Sequence, residues 1–63
     1  MEKGNLKPGE KYLHHRKLVI DGRDMEAERW VRYLEPTQNG GVFEHEYERF
    51  ELSEEEITKE IIQ

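Results

Sequence analysis

Polar and apolar residues alternate most regularly over residues 42–50, in the second half of the chain. Phe43 and Tyr47 fall at one phase of the alternation, and glutamates fall at the other. Successive side chains of a β-strand point to opposite faces, so this pattern predicts a half-buried strand. Phe50 breaks the alternation, which predicts a bend near Arg49.

Two earlier segments have the aromatic and β-branched composition of strands. Residues 11–20 carry no helical stripe and end at Asp21-Gly22, a dipeptide typical of tight hairpins. Residues 27–34 contain the run Trp-Val-Arg-Tyr-Leu and are followed by a loop rich in proline and glycine. Residues 1–10 contain two glycines and one proline, and we predict a flexible lead-in there.

A helix is predicted at the C-terminal end, over residues 54–62. Ser53 is followed three residues later by Glu56, which is the spacing of a capping box. Ile57 and Ile61 are four residues apart and therefore share one helix face. A helix of this length is unstable alone in water, so it must dock against the rest of the fold.

These elements predict a mainly β fold: a small bent antiparallel sheet, or an SH3-like barrel, of three to five strands with a short C-terminal α-helix. Sixty-three residues allow one small domain, over residues 11–63. Chains this short bury little surface and are commonly stabilised by disulfides, a metal or a partner subunit. Cysteine is absent, so a metal and a homo-oligomer remain as the alternatives.

Charge is distributed unevenly along a chain whose formal net charge is −5. The last twenty residues carry eight carboxylates and two basic side chains. The basic footprint of a nucleic-acid-binding protein is missing, and anionic membranes would repel the same acidic region. The longest apolar run has three residues, and the N-terminus lacks the apolar stretch of a signal peptide. We therefore predict a cytoplasmic protein that binds neither nucleic acid nor membrane.

The main candidate site is a group of carboxylates in this acidic region. Glu44, Glu46 and Glu48 are two residues apart in the predicted strand, so we expect a ladder on one face. Such a ladder either protects a sheet face from aggregation or imitates a row of phosphates, since its spacing is about 6.6–7 Å. The predicted partner-binding residues, which include two aromatic anchors, are Glu44, Glu46, Glu48, Glu51, Glu55, Trp30 and Tyr47.

We expect a non-enzymatic protein-interaction module that presents this acidic surface to a basic surface of another protein. Complementary charge speeds encounter and selects partners. The sharper form of this hypothesis is a phage-type inhibitor of a nucleic-acid-binding host protein. One alternative is an oligomeric small-molecule binder with a pocket between subunits, and another is a metal-stapled structural module.

The histidines bear on the metal alternative. His14 and His15 are adjacent, so on a strand they point to opposite faces and at most one can join His45. No His-x-x-x-His spacing is present. We therefore predict that His45 is a half-buried strand residue with a backbone partner, and we predict no metal or other cofactor.

A set of short motifs resembles the pattern of one known group of proteins, although the Arg-Pro-Leu stretch near the end of that pattern is absent. These motifs are Lys7-Pro8-Gly9, Tyr12-x-His14, Trp30-Val31-Arg32-Tyr33, Gly41-Val42-Phe43-x-His45 and Phe50-Glu51. Over residues 7–51 the chain resembles a small bacterial and phage domain family of unknown function. The resemblance implies an SH3-like fold and a phage or mobile-element setting. It implies no activity, and no functional residue is transferred by it.

Overall fold

A computed structural model describes residues 1–62, which form one antiparallel sheet with the strand order β1-β2-β3-β4 and one short α-helix. The elements in chain order are a 3-10 helix (Lys3–Asn5), β1 (Lys11–Ile20), β2 (Arg23–Pro36), β3 (Gly40–His45), β4 (Glu48–Ser53) and α1 (Glu54–Glu60). The predicted mainly β fold, a small antiparallel sheet with a short C-terminal helix, is confirmed. Across residues 1–62 no helix has the length and apolar character needed to cross a bilayer.

β1 and β2 form a long hairpin closed by Asp21-Gly22. Both turn residues have positive φ angles, 52° and 76°, as a two-residue type I′ turn requires. The predicted hairpin is therefore confirmed. β2 begins at Arg23, four residues before the predicted strand, although residues 25–29 have a helical propensity. Each of these residues pairs with one on β1, and this pairing outweighs the local preference.

The continuous strand predicted over residues 42–50 is wrong. The chain reverses at Glu46-Tyr47, so this segment contributes β3, a two-residue turn and the start of β4. Phe43 pairs with Phe50 across the hairpin, and both face the core. The turn shifts the core-facing positions from odd to even numbers, which explains why Phe50 broke the alternation in the sequence.

The hydrophobic core lies on one face of the sheet, which we call the inner face. Phe43 is fully buried at its centre, with ring centroids 5.2 Å from Tyr33 and 5.9 Å from Phe50. α1 covers this face with Ile57, and Ile61 follows it, also fully buried. The buried core residues are Leu6, Tyr12, Val31, Tyr33, Phe43, Leu52, Ile57 and Ile61.

α1 begins at the predicted capping box, which is confirmed. The Ser53 hydroxyl accepts a hydrogen bond from the Glu56 backbone N–H at 3.2 Å. In return, the Glu56 carboxylate accepts one from the Ser53 N–H at 2.9 Å. The two bonds satisfy N–H groups that the first turn of a helix otherwise leaves unpaired.

α1 ends at Glu60 rather than at residue 62 because the chain beyond it joins the edge of β1. Ile61 forms an isolated antiparallel bridge with His14, and the Ile62 N–H donates to the Leu13 carbonyl at 2.9 Å. The chain therefore leaves β4 at one edge of the sheet, crosses the inner face as α1, and reaches the opposite edge at β1.

The first ten residues pack against the rest of the fold, in contrast to the flexible lead-in predicted for residues 1–10. Leu6 is buried in the core. The Lys3 ammonium donates to the Thr37 carbonyl at 2.6 Å. A single apolar side chain in a Gly-rich and Pro-rich segment is a weak sequence signal, so only the tertiary contacts reveal this packing.

Candidate functional site: an exposed aromatic patch

A shallow depression of about 390 Å³ lies on the outer face of the sheet, opposite the core. Trp30 and Tyr47 are its two aromatic side chains, and we call the depression the aromatic patch. Both are well exposed, with 58% of Trp30 and 97% of Tyr47 accessible to solvent. The residues that line the aromatic patch are Lys11, Trp30, Arg32, Glu44, His45, Glu46 and Tyr47.

Tyr47 is displayed by an unusual turn between β3 and β4. Glu46 and Tyr47 have φ angles of 49° and 70°, in the left-handed region that Gly, Asn and Asp normally occupy in such turns. This conformation costs roughly 1–2 kcal/mol for a residue with a side chain. The strands on either side pair without interruption from Gly40 with Ser53 to His45 with Glu48, and this ladder holds the turn in place.

Trp30 is placed on the outer face by the register of β2. It pairs with Leu13 of β1, and its neighbour Val31 is buried on the inner face. His45 Nδ1 lies 2.9 Å from the Trp30 carbonyl oxygen. A carbonyl oxygen only accepts, so His45 carries its proton on Nδ1 and donates it. The prediction that His45 is a half-buried residue with a backbone partner is confirmed, and this bond links the turn to β2.

The predicted ladder of glutamates does not form. Glu44 lies on the outer face, where it pairs with Arg32 of β2. One of its carboxylate oxygens is 4.0 Å from Arg49 Nε. Glu46 is in the turn, where its side chain is 85% exposed. Glu48 follows the turn and lies on the face opposite to Glu44. The expectation was wrong because it assumed one strand where the chain makes a hairpin.

The remaining predicted acidic residues are distributed over other surfaces. Glu51 accepts a hydrogen bond from the Thr37 hydroxyl at 2.6 Å. Glu55 accepts one from the Lys59 ammonium at 2.8 Å, and this bond, with the charge of Lys59, lowers the pKa of the Glu55 carboxyl. The structure thus brings together four of the seven predicted partner-binding residues, and these are Trp30, Tyr47, Glu44 and Glu46.

A second cluster of functional groups, on the inner face, was missed by the sequence reasoning. His14 is only 2% exposed, and its Nε2 lies 2.7 Å from the Glu60 carboxylate. Arg29 Nε donates to His14 Nδ1 at 3.3 Å. Tyr12, His14 and Arg16 alternate in β1, and this was the sequence signal that one buried face would include a histidine and an arginine.

The protonation state of His14 follows from its two neighbours. The Arg29 guanidinium is always charged and only donates, so Nδ1 must accept and the proton of the neutral ring sits on Nε2, facing Glu60. Burial lowers the pKa of His14. The hydrogen bond to Glu60 opposes this shift, while the charges of Arg29 and Arg16 add to it. Both ring nitrogens are occupied, so His14 has no free lone pair with which to act as a general base.

The histidines do not converge on a metal site. His14 points to the inner face and His15 to the outer face, as predicted, and His15 Nδ1 lies 3.2 Å from Glu28. In the part of the chain that the structure describes, no group of three His, Cys, Asp or Glu side chains is arranged to hold a metal ion.

Comparison with known proteins finds no match for the chain among protein-family models, among curated proteins or among solved structures. The resemblance of residues 7–51 to a bacterial and phage domain family therefore stays a prediction from the sequence. What the chain binds must be inferred from the geometry of its own surfaces.

Proposed function

We propose that this protein is a non-enzymatic protein-interaction module that binds a basic surface of another protein through the aromatic patch. The observation that carries the proposal is the display of Tyr47. Its ring is almost entirely in solvent, and the backbone beneath it is in a conformation that disfavours any residue with a side chain.

The free energy of folding gains nothing from this arrangement. A glycine at position 47 would adopt the same turn without the steric cost, and an exposed ring buries no apolar surface. Backbone strain that the fold does not need is typical of functional positions. A partner that covers Tyr47 and Trp30 would remove two large rings from water, and these residue types dominate the binding energy of protein interfaces.

Charge indicates the chemistry of the partner. The chain has a net charge of −5, and Glu46 projects its carboxylate from the same turn that displays Tyr47. The lining of the patch holds two cations, Lys11 and Arg32, beside Glu44 and Glu46. The preference for a basic partner therefore comes from the net charge of the chain, which attracts it over a distance, and from Glu46, which can pair with it on contact. The predicted phage-type inhibitor is a narrower hypothesis that relied on the glutamate ladder, and the hairpin geometry lends it no support.

The proposal is tested by Tyr47→Gly, a substitution that removes the ring and relieves the strain together. Tagged wild-type protein is used to capture a partner from the lysate of the native host at low salt, and the affinity of the purified pair is then measured by calorimetry. We expect Tyr47→Gly to weaken binding at least tenfold while the free energy of unfolding rises. A loss of binding in a more stable protein cannot be attributed to misfolding.

Val19→Ala is the matched control, because Val19 is also highly exposed but lies far along the β1–β2 hairpin. It should leave the affinity unchanged. Raising the salt from about 0.05 M to about 0.5 M should weaken the wild-type complex, since screening shortens the range of the attraction to a basic partner. The proposal fails if Tyr47→Gly binds as tightly as the wild type, or if the captured partner binds with no dependence on salt.

A further inference from the structure

We propose that the inner face of the sheet carries a second binding site, for a phosphate monoester with a small apolar body, between Arg16 and Arg29. This site is independent of the proposed protein interaction, because it lies on the opposite face from Trp30. It is a depression of about 350 Å³ beside α1. The residues that line it are His14, Arg16, Lys17, Arg29, Phe50, Leu52, Glu56 and Glu60.

Arg29 is held in position by two neighbours, Phe50 and His14. Its guanidinium carbon lies 4.5 Å above the centre of the Phe50 ring. Its Nε donates to His14, and His14 is in turn fixed by the hydrogen bond to Glu60. Only Nε is used in these contacts, so the two terminal nitrogens of the guanidinium remain available to a ligand.

Arg16 adds a second unpaired cation to the same depression. It lies two residues after His14 on β1 and therefore faces the same side of the sheet. Within residues 1–62 neither Arg16 nor Arg29 forms a salt bridge. Burial lowers the pKa of Arg29, and the charge of Arg16 lowers it further, against a smaller opposite effect of Glu48. Two arginines that repel each other without a paired carboxylate are stabilised by a bound anion.

The carboxylates that line the depression are engaged elsewhere. Glu60 accepts from His14, and Glu56 accepts from the backbone of Ser53 in the capping box. Among residues 1–62, neither carboxylate lies within salt-bridge distance of Arg16 or Arg29. This leaves cationic donors with free hydrogen-bonding capacity in a chain whose overall charge is negative.

The geometry favours a phosphate monoester over other anions. Two planar guanidinium groups offer more donors than one carboxylate can accept, whereas a terminal phosphate presents three oxygens. Phe50 and Leu52 provide an apolar wall next to the cations, where a small ring or aliphatic group can be buried. The volume is at the lower end of the range for ligand pockets, which limits the apolar body to about one ring.

The test is a titration of the full chain with phenyl phosphate and, separately, with inorganic phosphate, at constant ionic strength, followed by two-dimensional NMR. Phenyl phosphate should cause saturable shifts of the Arg29 Nε–H and of the Phe50 amide. The indole N–H of Trp30, on the outer face, should not move. Inorganic phosphate should bind at least several-fold more weakly, because it lacks a ring to pack on Phe50 and Leu52.

Arg16→Gln tests the role of the cation without removing a contact that positions Arg29. It should weaken the binding of phenyl phosphate about tenfold or more. Arg49→Gln is the matched control, since it makes the same change in net charge at an exposed position on the outer face. It should change the affinity less than twofold.

The site is refuted if no saturable shift occurs at tens of millimolar ligand, as an order-of-magnitude ceiling, or if the two variants weaken binding equally. Equal affinity for the two phosphates would refute the apolar part of the site.

Discussion

The two tight turns of the sheet have nearly the same backbone and quite different sequences. Asp21 and Gly22 have φ angles of 52° and 76°, while Glu46 and Tyr47 have φ angles of 49° and 70°. Asp-Gly is a preferred dipeptide for this turn, whereas Glu-Tyr is not. The comparison shows that Asp-Gly itself favours the first turn, whereas the second turn forms although Glu-Tyr disfavours it.

The surroundings of the two turns explain how this is possible. The first turn closes the part of the β1–β2 hairpin that extends beyond β3, where side chains such as Val19 are 73% exposed. Local sequence must specify it, because few tertiary contacts are present there. The second turn joins strands that carry Phe43 and Phe50 into the core. Burial of these rings offsets the strain of the turn, so the turn residues need not be ones that favour the turn.

The largest predicted effect on stability comes from the core residues that pack beneath the second hairpin. Phe43→Ala should lower the free energy of unfolding by about 3–5 kcal/mol, because it removes a fully buried ring and leaves a cavity. In a domain of this size such a loss approaches the whole stability. Urea denaturation followed by circular dichroism measures it, and Phe43→Leu, which keeps an apolar side chain, should show a smaller loss. A change below 1 kcal/mol, about the size of an average substitution, would mean that the core does not hold this hairpin.

An exchange of turn sequences tests the comparison directly. Replacing Glu46-Tyr47 with Asp-Gly should raise the free energy of unfolding by about 1–2 kcal/mol, because the strain at two left-handed residues is relieved. Placing Glu-Tyr at positions 21 and 22 should lower it by a similar amount. Both are measured by thermal and urea denaturation.

The reciprocal design provides its own control, since each double substitution recreates a turn that the protein already contains. If the Asp-Gly version of the second turn is less stable than the wild type, then Glu46 and Tyr47 contribute to folding and the assignment of Tyr47 to partner binding loses its main support.

The free energy of unfolding should depend on pH through His14. In the folded chain its pKa lies below the ordinary value of 6.5, mainly because of burial. The unfolded chain therefore binds the proton first as the pH falls. Stability from this residue is fully present above pH 6.5 and is lost as the pH falls below it, with a slope of up to about 1.4 kcal/mol per pH unit for one proton.

This slope is measured by urea denaturation between about pH 7.5 and about pH 5.5, above the range where most carboxylates titrate. The groups that face His14 are Arg29, Arg16 and Glu60. His14→Gln should reduce the slope, and His15→Gln, on the opposite face, should retain it. An unchanged slope in His14→Gln would show that another group is responsible.

The smallest effect is expected on the extended part of the first hairpin. Val19→Thr keeps a β-branched side chain at an exposed position and should change the free energy of unfolding by less than about 0.5 kcal/mol. Hydrogen exchange should be faster in this region than around Phe43, because it is a two-stranded ribbon outside the core. A large loss of stability would contradict the exposed position of Val19 and show that its side chain packs against the fold.

The elements that could be predicted were those with a local chemical signal. The capping box at Ser53, the turn at Asp21-Gly22 and the strand composition of residues 11–20 each depend on neighbours a few residues away. Trp30 and Tyr47 were also chosen from the sequence as anchors, but Tyr47 was predicted beside Phe43 on the half-buried face of a strand, opposite the glutamates. The structure corrects this placement, because Tyr47 is 97% exposed. The patch exists without the ladder, because a turn places Tyr47 where the sequence indicated continued pairing.

The amino-acid sequence by itself determined that the chain would be mainly β with one docked helix, since alternation, turn dipeptides and capping are local properties. Only the tertiary structure decided where the strand after Gly41 would reverse, because the free energy for that turn comes from rings buried against β2 and α1. The same packing brought His14, Arg29 and Glu60 together from β1, β2 and α1. Contacts between residues so distant in the sequence depend on the register of the sheet, which no single segment of the chain encodes.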